Sequence, residues 1–404
     1  MEIYLVGGAV RDALLNLPVN EKDYVVVGST VEEMLSQGFQ AVGKAFPVFL
    51  HPETKEEYAL ARTEKKVAKG YHGFSFYAQP DVTLEDDLQR RDLTINAIAQ
   101  AKDGKLIDPY HGQEDLKNRI LRHVSPAFSE DPVRILRIAR FKARFHHLEF
   151  HIAEETMQLM RKMVKAGEVD ALVPERVFKE LNSALCEQDP AEFFEALREC
   201  GALAVLFPDI DKLWGVPQDK KHHPEIDCGV HTMMVLQAAS KLSTDPKVRF
   251  AALLHDLGKA QTPKAILPKH TGHEESSVEL VKKLCADYKA PTEYKELAVL
   301  VAGLHGKCHR VMNMNADELL DLLQSLDAFR RPQRLSDFLL ACQADSRGRT
   351  GHEDSAYPQT TFLQSALKAA NSIDEAAIAK QHQGEAIKHA IYAARLAALK
   401  NFLK

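Results

Sequence analysis

The chain has 404 residues, 52 basic and 57 acidic side chains, a formal net charge of −5 and 45% hydrophobic residues. That size gives room for roughly two to four domains with a full apolar core, and the mild negative charge excludes bulk-charge coating of nucleic acid while leaving a local basic groove open. No apolar run is long enough to span a bilayer, and the opening MEIYLVGG lacks the basic start and cleavage site of a secretory signal. The six cysteines (Cys186, Cys200, Cys228, Cys285, Cys308, Cys342) are scattered without a C-x-x-C pair, so reduced thiols and a cytoplasmic location are the expectation.

In chain order, Ile3 to Val6 read as a short apolar strand that runs into Gly7-Gly8 and then into a helix-like AVRDALL. Two glycines let backbone N–H groups close on a bulky anion such as a triphosphate. The helix behind them turns the positive end of its dipole to the same place, and Arg11 adds a fixed charge one turn in. A second apolar strand then starts with Glu21-Lys22-Asp23. Side chains alternate along a strand, so Glu21 and Asp23 are expected on one face and Lys22 on the other. Two carboxylates beside a phosphate cradle suit Mg²⁺, which takes one or two carboxylates and fills its octahedron with phosphate oxygens and water. Either feature alone reads as a Gly turn or an acidic strand entry; together they favour nucleotide chemistry. Further strands are expected at 47–50 and 57–61. The segment KKVAKGYHGFSFYA (65–78), punctuated by Gly70 and Gly73, reads as a loop, either a lid or plain surface.

Residues 90–99 read RRDLTINAIA, 107–122 read IDPYHGQEDLKNRILR and 130–145 read EDPVRILRIARFKARF. Beyond residue 122 the pattern is helical: 132–145, 153–166, 175–187, 190–200, 230–242, 247–257, 277–288, 294–305, 316–325, 332–345 and 360–400. No period of repeat-protein length recurs. Asp131-Pro132 has the form of a helix N-cap followed by Pro at the first helical position. Asp131 and Arg134 share a helix face, with Arg137, Arg140 and Arg144 near it, while Ile135, Ile138 and Phe141 or Phe145 pack elsewhere.

These motifs, in this order, resemble the class II CCA-adding enzymes (tRNA nucleotidyltransferases) of the polymerase-β superfamily, which also holds bacterial poly(A) polymerase. The resemblance is unbroken to about residue 145 and weaker over the rest. The family's metal pair is Asp-x-Asp, and position 21 is Glu here, one methylene longer. The resemblance implies that Glu21 and Asp23 hold Mg²⁺, that Gly8 and Arg11 grip the triphosphate, and that Arg91 binds the nucleotide and Asp92 its ribose. It implies further that Asp131 and Arg134 act as a protein template for the base, with Arg137 and Arg140 as further nucleotide contacts. The template has a chemical logic. Cytosine and adenine both offer an exocyclic amine beside a ring-nitrogen acceptor, whereas guanine and uracil offer the reverse, so a carboxylate beside a guanidinium would pair with the first two and leave unpaired groups against the others. The implied reaction is attack of the tRNA 3′-hydroxyl on the α-phosphate of CTP, twice, and then of ATP, with pyrophosphate leaving and two Mg²⁺ ions about 3.5–4 Å apart clamping the attacking and leaving oxygens. A third carboxylate could come from Glu85, Asp86 or Asp87, which sequence does not rank.

Residues 222–309 hold eight of the eighteen histidines. The ordered pattern is His231, then His255-Asp256, then His273, His305 and His309, then Asp345. Mixed imidazole and carboxylate donors suit Ni, Mn, Co, Fe or Zn. The order resembles HD-domain metal-dependent phosphohydrolases, which a subset of bacterial CCA-adding enzymes carries. By resemblance, His231, His255, Asp256 and Asp345 ligate a transition metal, Ni²⁺ or Mn²⁺; His273, His305 and His309 complete a second site, and Lys259 contacts phosphate. For the adjacent His and Asp to reach one ion the helix end must unwind, and Gly258 is expected to make that cheap. The basic amphipathic stretch 384–404, with Lys388, Arg395, Lys400 and Lys404, reads first as a packed helix and second as a contact to the tRNA backbone.

The expected fold class is α+β, a mixed-sheet polymerase-β-like nucleotidyltransferase head (1–122), then an all-α neck and body with the nucleotide-template helix (123–205), an HD phosphohydrolase domain (206–345) and a helical tail (346–404). The expected function is C, C, A addition to tRNA from CTP and ATP by a monomer or homodimer with no membrane partner, plus 2′,3′-cyclic phosphodiesterase, 2′-nucleotidase and phosphatase activity. The alternatives are a poly(A) polymerase, disfavoured by the His-rich pattern and the lack of a strongly basic tail, and an HD phosphohydrolase with an inactive head, disfavoured by Arg91, Asp131 and Arg134. A dinucleotide-binding oxidoreductase fails because VGGAVRD is not G-x-G-x-x-G.

Overall fold

A computed structural model describes residues 1–42, 48–66, 74–221 and 223–404. The chain divides into two compact units, one of residues 1–184 with 192–206 and one of residues 185–191 with 207–404.

The first unit is built on strands β1 (Glu2–Val6), β2 (Asp23–Val27), β3 (Gln40–Val42), β4 (Val48–Leu50), β5 (Glu57–Leu60), β6 (Thr63–Lys66), β7 (Phe74–Tyr77), β8 (Ala99–Gln100) and β9 (Leu106–Ile107). Seven of them form one sheet in the order β3-β4-β5-β2-β1-β8-β9. It is a mixed sheet, since β2 and β5 run parallel while β1 is antiparallel to β2 and β8. The run of valines in β2 explains why this strand is central. Val25 packs in a core cluster with Val6, Leu88 and Ala99, whereas Val26 packs on the other face with Met34, Phe49 and Leu60. A strand buried on both faces reads as a continuous apolar run rather than an alternation. Register then fixes the site, because Val6 stands opposite Asp23 and so sets the Gly7-Gly8 turn beside the start of β2.

The helix Val133–Phe145 follows, with Ile135, Leu136, Ile138 and Phe145 wholly buried. Its arginines recur at spacings of three and four on another face, as a 3.6-residue period requires. The helices Glu154–Lys165, Pro174–Cys186, Ala191–Cys200 and Ala202–Leu206 come next.

The second unit is helical. Its larger elements are Cys228–Leu242, Pro246–Leu254, His273–Asp287, Thr292–His309, Ala316–Ser325, Pro332–Arg347, Pro358–Ala370 and Glu385–Phe402. Several begin where sequence says they should. Asp227 caps the first through Val230 N–H, and Asn315 and Glu318 form a capping box; Pro246, Pro332 and Pro358 open their helices.

Three expectations change. The stretch 360–400 is not one helix but Pro358–Ala370, Glu375–Gln381 and Glu385–Phe402. Asp374 caps a new start by accepting from Ala377 N–H, and Gly384 has φ 55, so the Ala-rich propensity is interrupted twice. In 65–78 the flanks are strands, with Thr63 opposite Tyr77 and Lys66 opposite Phe74; the lid expected there falls on residues 67–73, outside the described residues. The helix expected over 247–257 ends at Leu254. At the C-terminus, Arg395 lies 3.7 Å from the Phe329 ring centroid and pairs with Glu375, and Leu399 is buried, so that helix is packed. No helix among the described residues is long and apolar enough to cross a membrane.

Candidate functional site

A cleft of about 1010 Å³ in the first unit is lined by Gly7, Gly8, Arg11, Glu21, Asp23, Arg91, Asp92, Asp131, Arg134, Arg137 and Arg140, among others. Gly7 has φ +68, which a side chain would strain, so the tight turn out of β1 needs glycine at this point. Glu21 precedes β2 rather than lying in it, so strand alternation does not place it; both it and Asp23 still line the cleft, while Lys22 reaches toward Glu56 at 3.9 Å. Burial pushes the Asp23 carboxyl up, Arg91 opposes this, and Glu21 adds to it. A carboxylate held this way gains from a bound cation.

The arginines nearest the nucleotide cradle and the template helix are held. Arg11 donates to Asp12 at 2.8 Å and to Asn96 at 2.5 Å. Asp92 accepts from Arg137 Nε at 2.7 Å, Asn96 Nδ2 at 2.9 Å and Leu93 N at 2.8 Å. Burial works to raise its pKa, yet the Arg137 charge and these hydrogen bonds hold it well below the usual carboxylate range. Arg140 donates to Glu180 at 2.9 Å. Arg134 donates to the carbonyls of Arg90 at 2.6 Å and Ala127 at 3.2 Å. Asp131 accepts from Val133 N at 3.2 Å, the cap its Asp-Pro sequence foretells, and from both Nη atoms of Arg176 at 3.2 and 2.7 Å. Asp131 and Arg134 therefore share the cleft while each is anchored to a different partner.

Of the three carboxylates left open, Glu85 is exposed, Asp86 closes a capping box with Thr83, and Asp87 is wholly buried against Arg90 at 2.6 Å and Arg91 at 3.2 Å. Arg144, on the helix face read from the sequence, lines the cleft as well, and so do Arg62, Arg90, Asn96, Arg176, Lys179 and Glu180, which were not singled out by sequence. The signal for the last three was present in VPERVFKEL, where Arg176, Lys179 and Glu180 recur at helical spacing opposite the buried Val177 and Leu181.

In the second unit His231, His255, Asp256 and Asp345 are at most 4% exposed. Donor atoms of His231, His255 and Asp345 lie within 4.8 Å of one another, and so do those of Asp256, His273 and His305; a further such group is His223, Glu225 and His231. The rings are held from behind. Nδ1 of His231, His255, His273 and His305 bonds to the carbonyls of Gly348, Ala252, His270 and Val301 at 3.0, 2.7, 2.6 and 3.0 Å. That leaves each Nε2 directed inward, the orientation of metal-ligating imidazoles. His231 Nε2 is 3.1 Å from Asp345 Oδ1, and His273 and His305 Nε2 are 3.3 and 3.4 Å from Asp256 Oδ1. The helix end does open: Asp256 has φ −116 and ψ 17, and a 3-10 turn follows.

Gly258 plays a different part from the one expected. It is not in the positive-φ region; instead a Cβ there would overlap the carbonyl oxygen of His273 and come within 2.6 Å of Ser277 N, so glycine admits the His273–Asp287 helix against the His-Asp turn. His309 has its Nδ1 held by the Tyr357 hydroxyl at 2.9 Å and its Nε2 2.6 Å from Asp345 Oδ2, so it faces the Asp345 side of the cluster and not the Asp256 group. Lys259 is buried between Asp256 Oδ2 and Gln218 Oε1, each at 2.6 Å.

A cation fits this constellation. His255 Nε2 and Asp256 Oδ1 are buried with no hydrogen-bond partner, although His255 Nε2 is 3.0 Å from Asp256 Oδ2 in an orientation that makes no bond. Orphaned buried polar atoms are costly and call for a missing partner. Burial opposes ionisation of Asp256 and Asp345, yet His255 and Lys259 charges hold Asp256, and His309 and His255 charges hold Asp345, well below the carboxylate range, as ligands must be. Burial depresses His305, but the Asp256 carboxylate 3.4 Å from its Nε2 raises it to about 9, a proton that a metal would displace.

A Gly-Gly turn and two carboxylates in a mixed-sheet head, beside an arginine-lined helix, define a nucleotidyltransferase of the polymerase-β kind, and the buried His/His-Asp/Asp group defines an HD domain. Family descriptions match accordingly: Poly A polymerase head domain over residues 3–122, probable RNA and SrmB-binding site of polymerase A over 149–213, and HD domain over 229–331. The Multifunctional CCA protein of Thioalkalivibrio sulfidiphilus (strain HL-EbGR7) is 60% identical over 401 residues, covering 99% of this chain and 98% of that protein; that of Teredinibacter turnerae (strain ATCC 39867 / T7901) is 57% identical over 401 residues with the same coverage. The chain belongs to the multifunctional CCA protein family, class II CCA-adding nucleotidyltransferases with an HD domain. Two solved structures share the fold, each at 21% identity: the CCA-adding enzyme apo form II, with TM-score 0.65 and coverage of 99% of this chain and 88% of that one, and the Bacillus stearothermophilus CCA-adding enzyme in complex with CTP, with TM-score 0.64 and coverage of 99% and 89%.

Proposed function

We propose that the cleft of the first unit adds C, C and A to the 3′ end of tRNA, using CTP and ATP and releasing pyrophosphate, and that the HD group hydrolyses phosphate esters. The observation that carries the first part is the convergence of Glu21, Asp23, Asp131 and Arg134 on one cleft. Glu21 and Asp23 would hold Mg²⁺, which supplies charge neutralisation at the α-phosphate and activation of the attacking hydroxyl. The Gly7-Gly8 turn and Arg11 receive the triphosphate, Arg91 and Asp92 orient the nucleotide, and Arg137 and Arg140 add cationic wall. Asp131 and Arg134 read the base edge. Their anchoring by Arg176 and by the carbonyls of Arg90 and Ala127 preorganises that edge, so little ordering cost falls on the incoming base.

In the HD domain His231, His255, Asp256 and Asp345 would hold a transition metal, Ni²⁺ or Mn²⁺, whose Lewis acidity supplies a hydroxide at neutral pH. His273 and His305 complete the ligand set around Asp256. The substrates are 2′,3′-cyclic, 2′- and simple phosphate esters, and the enzyme works in the cytoplasm as a monomer or homodimer.

The test incubates wild type, Asp23→Ala and His255→Ala with a tRNA lacking its 3′ end and each labelled nucleotide in turn, and assays ester hydrolysis in parallel. Wild type is expected to add two C and one A, Asp23→Ala to lose addition alone, and His255→Ala to lose hydrolysis alone. EDTA should silence both, Mg²⁺ should restore addition, and Ni²⁺ or Mn²⁺ should restore hydrolysis. Runs of A without C, or equal loss of both activities in a folded variant, would overturn the reading.

A further inference from the structure

Arg349 is a cation at the HD group with no role assigned above. It stands one turn beyond Asp345, and its Nη2 lies 3.4 Å from Asp345 Oδ1. Its Nε is buried without a hydrogen-bond partner, while the side chain as a whole is 23% exposed. The guanidinium thus reaches from the carboxylate toward solvent with donor capacity to spare. Its position is rigid, because a Cβ at Gly348 would come within 2.6 Å of Val235 N, and the Gly348 carbonyl holds His231 Nδ1. Lys259 differs: at 7% exposed it is enclosed between Asp256 and Gln218, both at 2.6 Å.

We infer that Arg349 grips the phosphoryl group of the ester that the HD domain hydrolyses, and that Lys259 is a positioning residue for Asp256. The inference rests on the phosphohydrolase reading of this site. Asp256 and Asp345 face two fixed cations, Lys259 and Arg349. Once the aspartates are given to a divalent ion, Asp345 attracts Arg349 less and the local balance of charge turns positive. The planar guanidinium is then an anion receptor whose fork matches two phosphate oxygens, a geometry that an ammonium lacks. Lys259 cannot serve in this way without leaving Asp256, and its loss would leave a buried carboxylate uncompensated.

The experiment compares wild type, Arg349→Met, Arg349→Lys and Lys259→Met, each loaded with Mn²⁺ or Ni²⁺. Bound metal per chain is measured, inorganic phosphate is titrated by calorimetry, and KM and kcat are taken on a 2′,3′-cyclic nucleotide. Arg349→Met should keep its metal while its phosphate Kd and its KM rise about ten- to a hundredfold, and Arg349→Lys should recover part of that. Lys259→Met should lower the metal load and leave the phosphate affinity of the loaded fraction near wild type. Addition of CMP to tRNA should be unchanged in every variant. Unchanged phosphate affinity in Arg349→Met, or metal lost in step with phosphate, overturns the inference, as does a wild type that binds no phosphate. Phosphate binding is read without turnover, so Arg349-dependent binding in a wild type that hydrolyses no ester would support the inference while defeating the phosphohydrolase reading.

Discussion

Gly258→Ala isolates the packing of the HD domain from its chemistry, since it adds one methyl group and removes no ligand. That methyl would overlap the His273 carbonyl oxygen and sit 2.6 Å from Ser277 N and 2.8 Å from Ser276 Cβ. Two of these neighbours are backbone, so no rotamer change relieves the clash, and the start of the His273–Asp287 helix must move. Inserting a methyl into a packed core costs about 1–3 kcal/mol, and backbone opposition puts this case near 3. For a unit of this size that is a fall of roughly 6–12 °C in Tm. Trp214, the single tryptophan, lies in the same unit against Gly229, so its fluorescence reports the unfolding. The shift also draws His273 from Asp256, 3.3 Å away, and displacements of this order cost hydrolysis about ten- to a hundredfold. Addition to tRNA, housed in the other unit, should persist. A Tm within about 1 °C of wild type together with undiminished hydrolysis would refute the close-packing account.

Two further outcomes follow from the head. Arg134→Ala should relax discrimination against UTP and GTP by about ten- to a hundredfold in single-turnover assays while leaving triphosphate affinity nearly intact; an equal fall for all four nucleotides would make Arg134 a structural residue. Asp87→Asn should destabilise the protein at pH 6 by about 3 kcal/mol, because it leaves Arg90 and Arg91 facing a neutral group in a buried setting. Burial opposes the Asp87 charge, but Arg90 and Arg91 hold its folded pKa below the ordinary carboxylate value. A depressed folded pKa contributes stability above the unfolded value of about 3.9 that is lost as pH falls through the folded value, so in urea melts the gap to wild type should narrow from pH 6 toward pH 3. A gap independent of pH would mean that Asp87 does not titrate with folding.

What was legible in the sequence is local chemistry with a fixed spacing. Gly7-Gly8, Glu21 and Asp23 declare themselves within about two dozen residues, and antiparallel pairing of β1 with β2 makes neighbours of them. That strand-like runs precede a helical remainder was likewise readable from periodicity, while the mixed-sheet head was implied by the family resemblance. The order His231, His255-Asp256, Asp345 was readable because each residue type is itself a ligand. What sequence does not carry is the identity of each second partner. His309 is of ligand type, yet only the fold shows that Tyr357, 48 positions away, holds its Nδ1 and that its Nε2 faces Asp345 and not Asp256. Gln218, Glu225 and Arg349 escape because they are single polar residues with no periodic company, brought to the site by tertiary structure.

The arginine helix shows how such partners alter a functional reading. Sequence presents Arg137, Arg140 and Arg144 as an unpaired basic face, open either to solvent or to a nucleotide. In the fold each has a carboxylate from a distant segment: Asp92, Glu180 and Asp12 at 2.7, 2.9 and 2.9 Å. A triphosphate entering the cleft therefore exchanges ion pairs instead of filling vacant ones, and the gain per contact is the difference between phosphate and carboxylate. Arg137 is 37% exposed at its side chain and Arg140 only 15%. Neither pair yields cheaply, because the carboxylates Asp92 and Glu180 are only 8% and 11% exposed, so separating either leaves a buried charge for the ligand to compensate. Arg137 has more of its own side chain in solvent, so of the two proposed nucleotide contacts it is the easier for a ligand to reach, while both remain committed to buried carboxylates, Arg137 to Asp92 and Arg140 to Glu180 across to the Pro174–Cys186 helix.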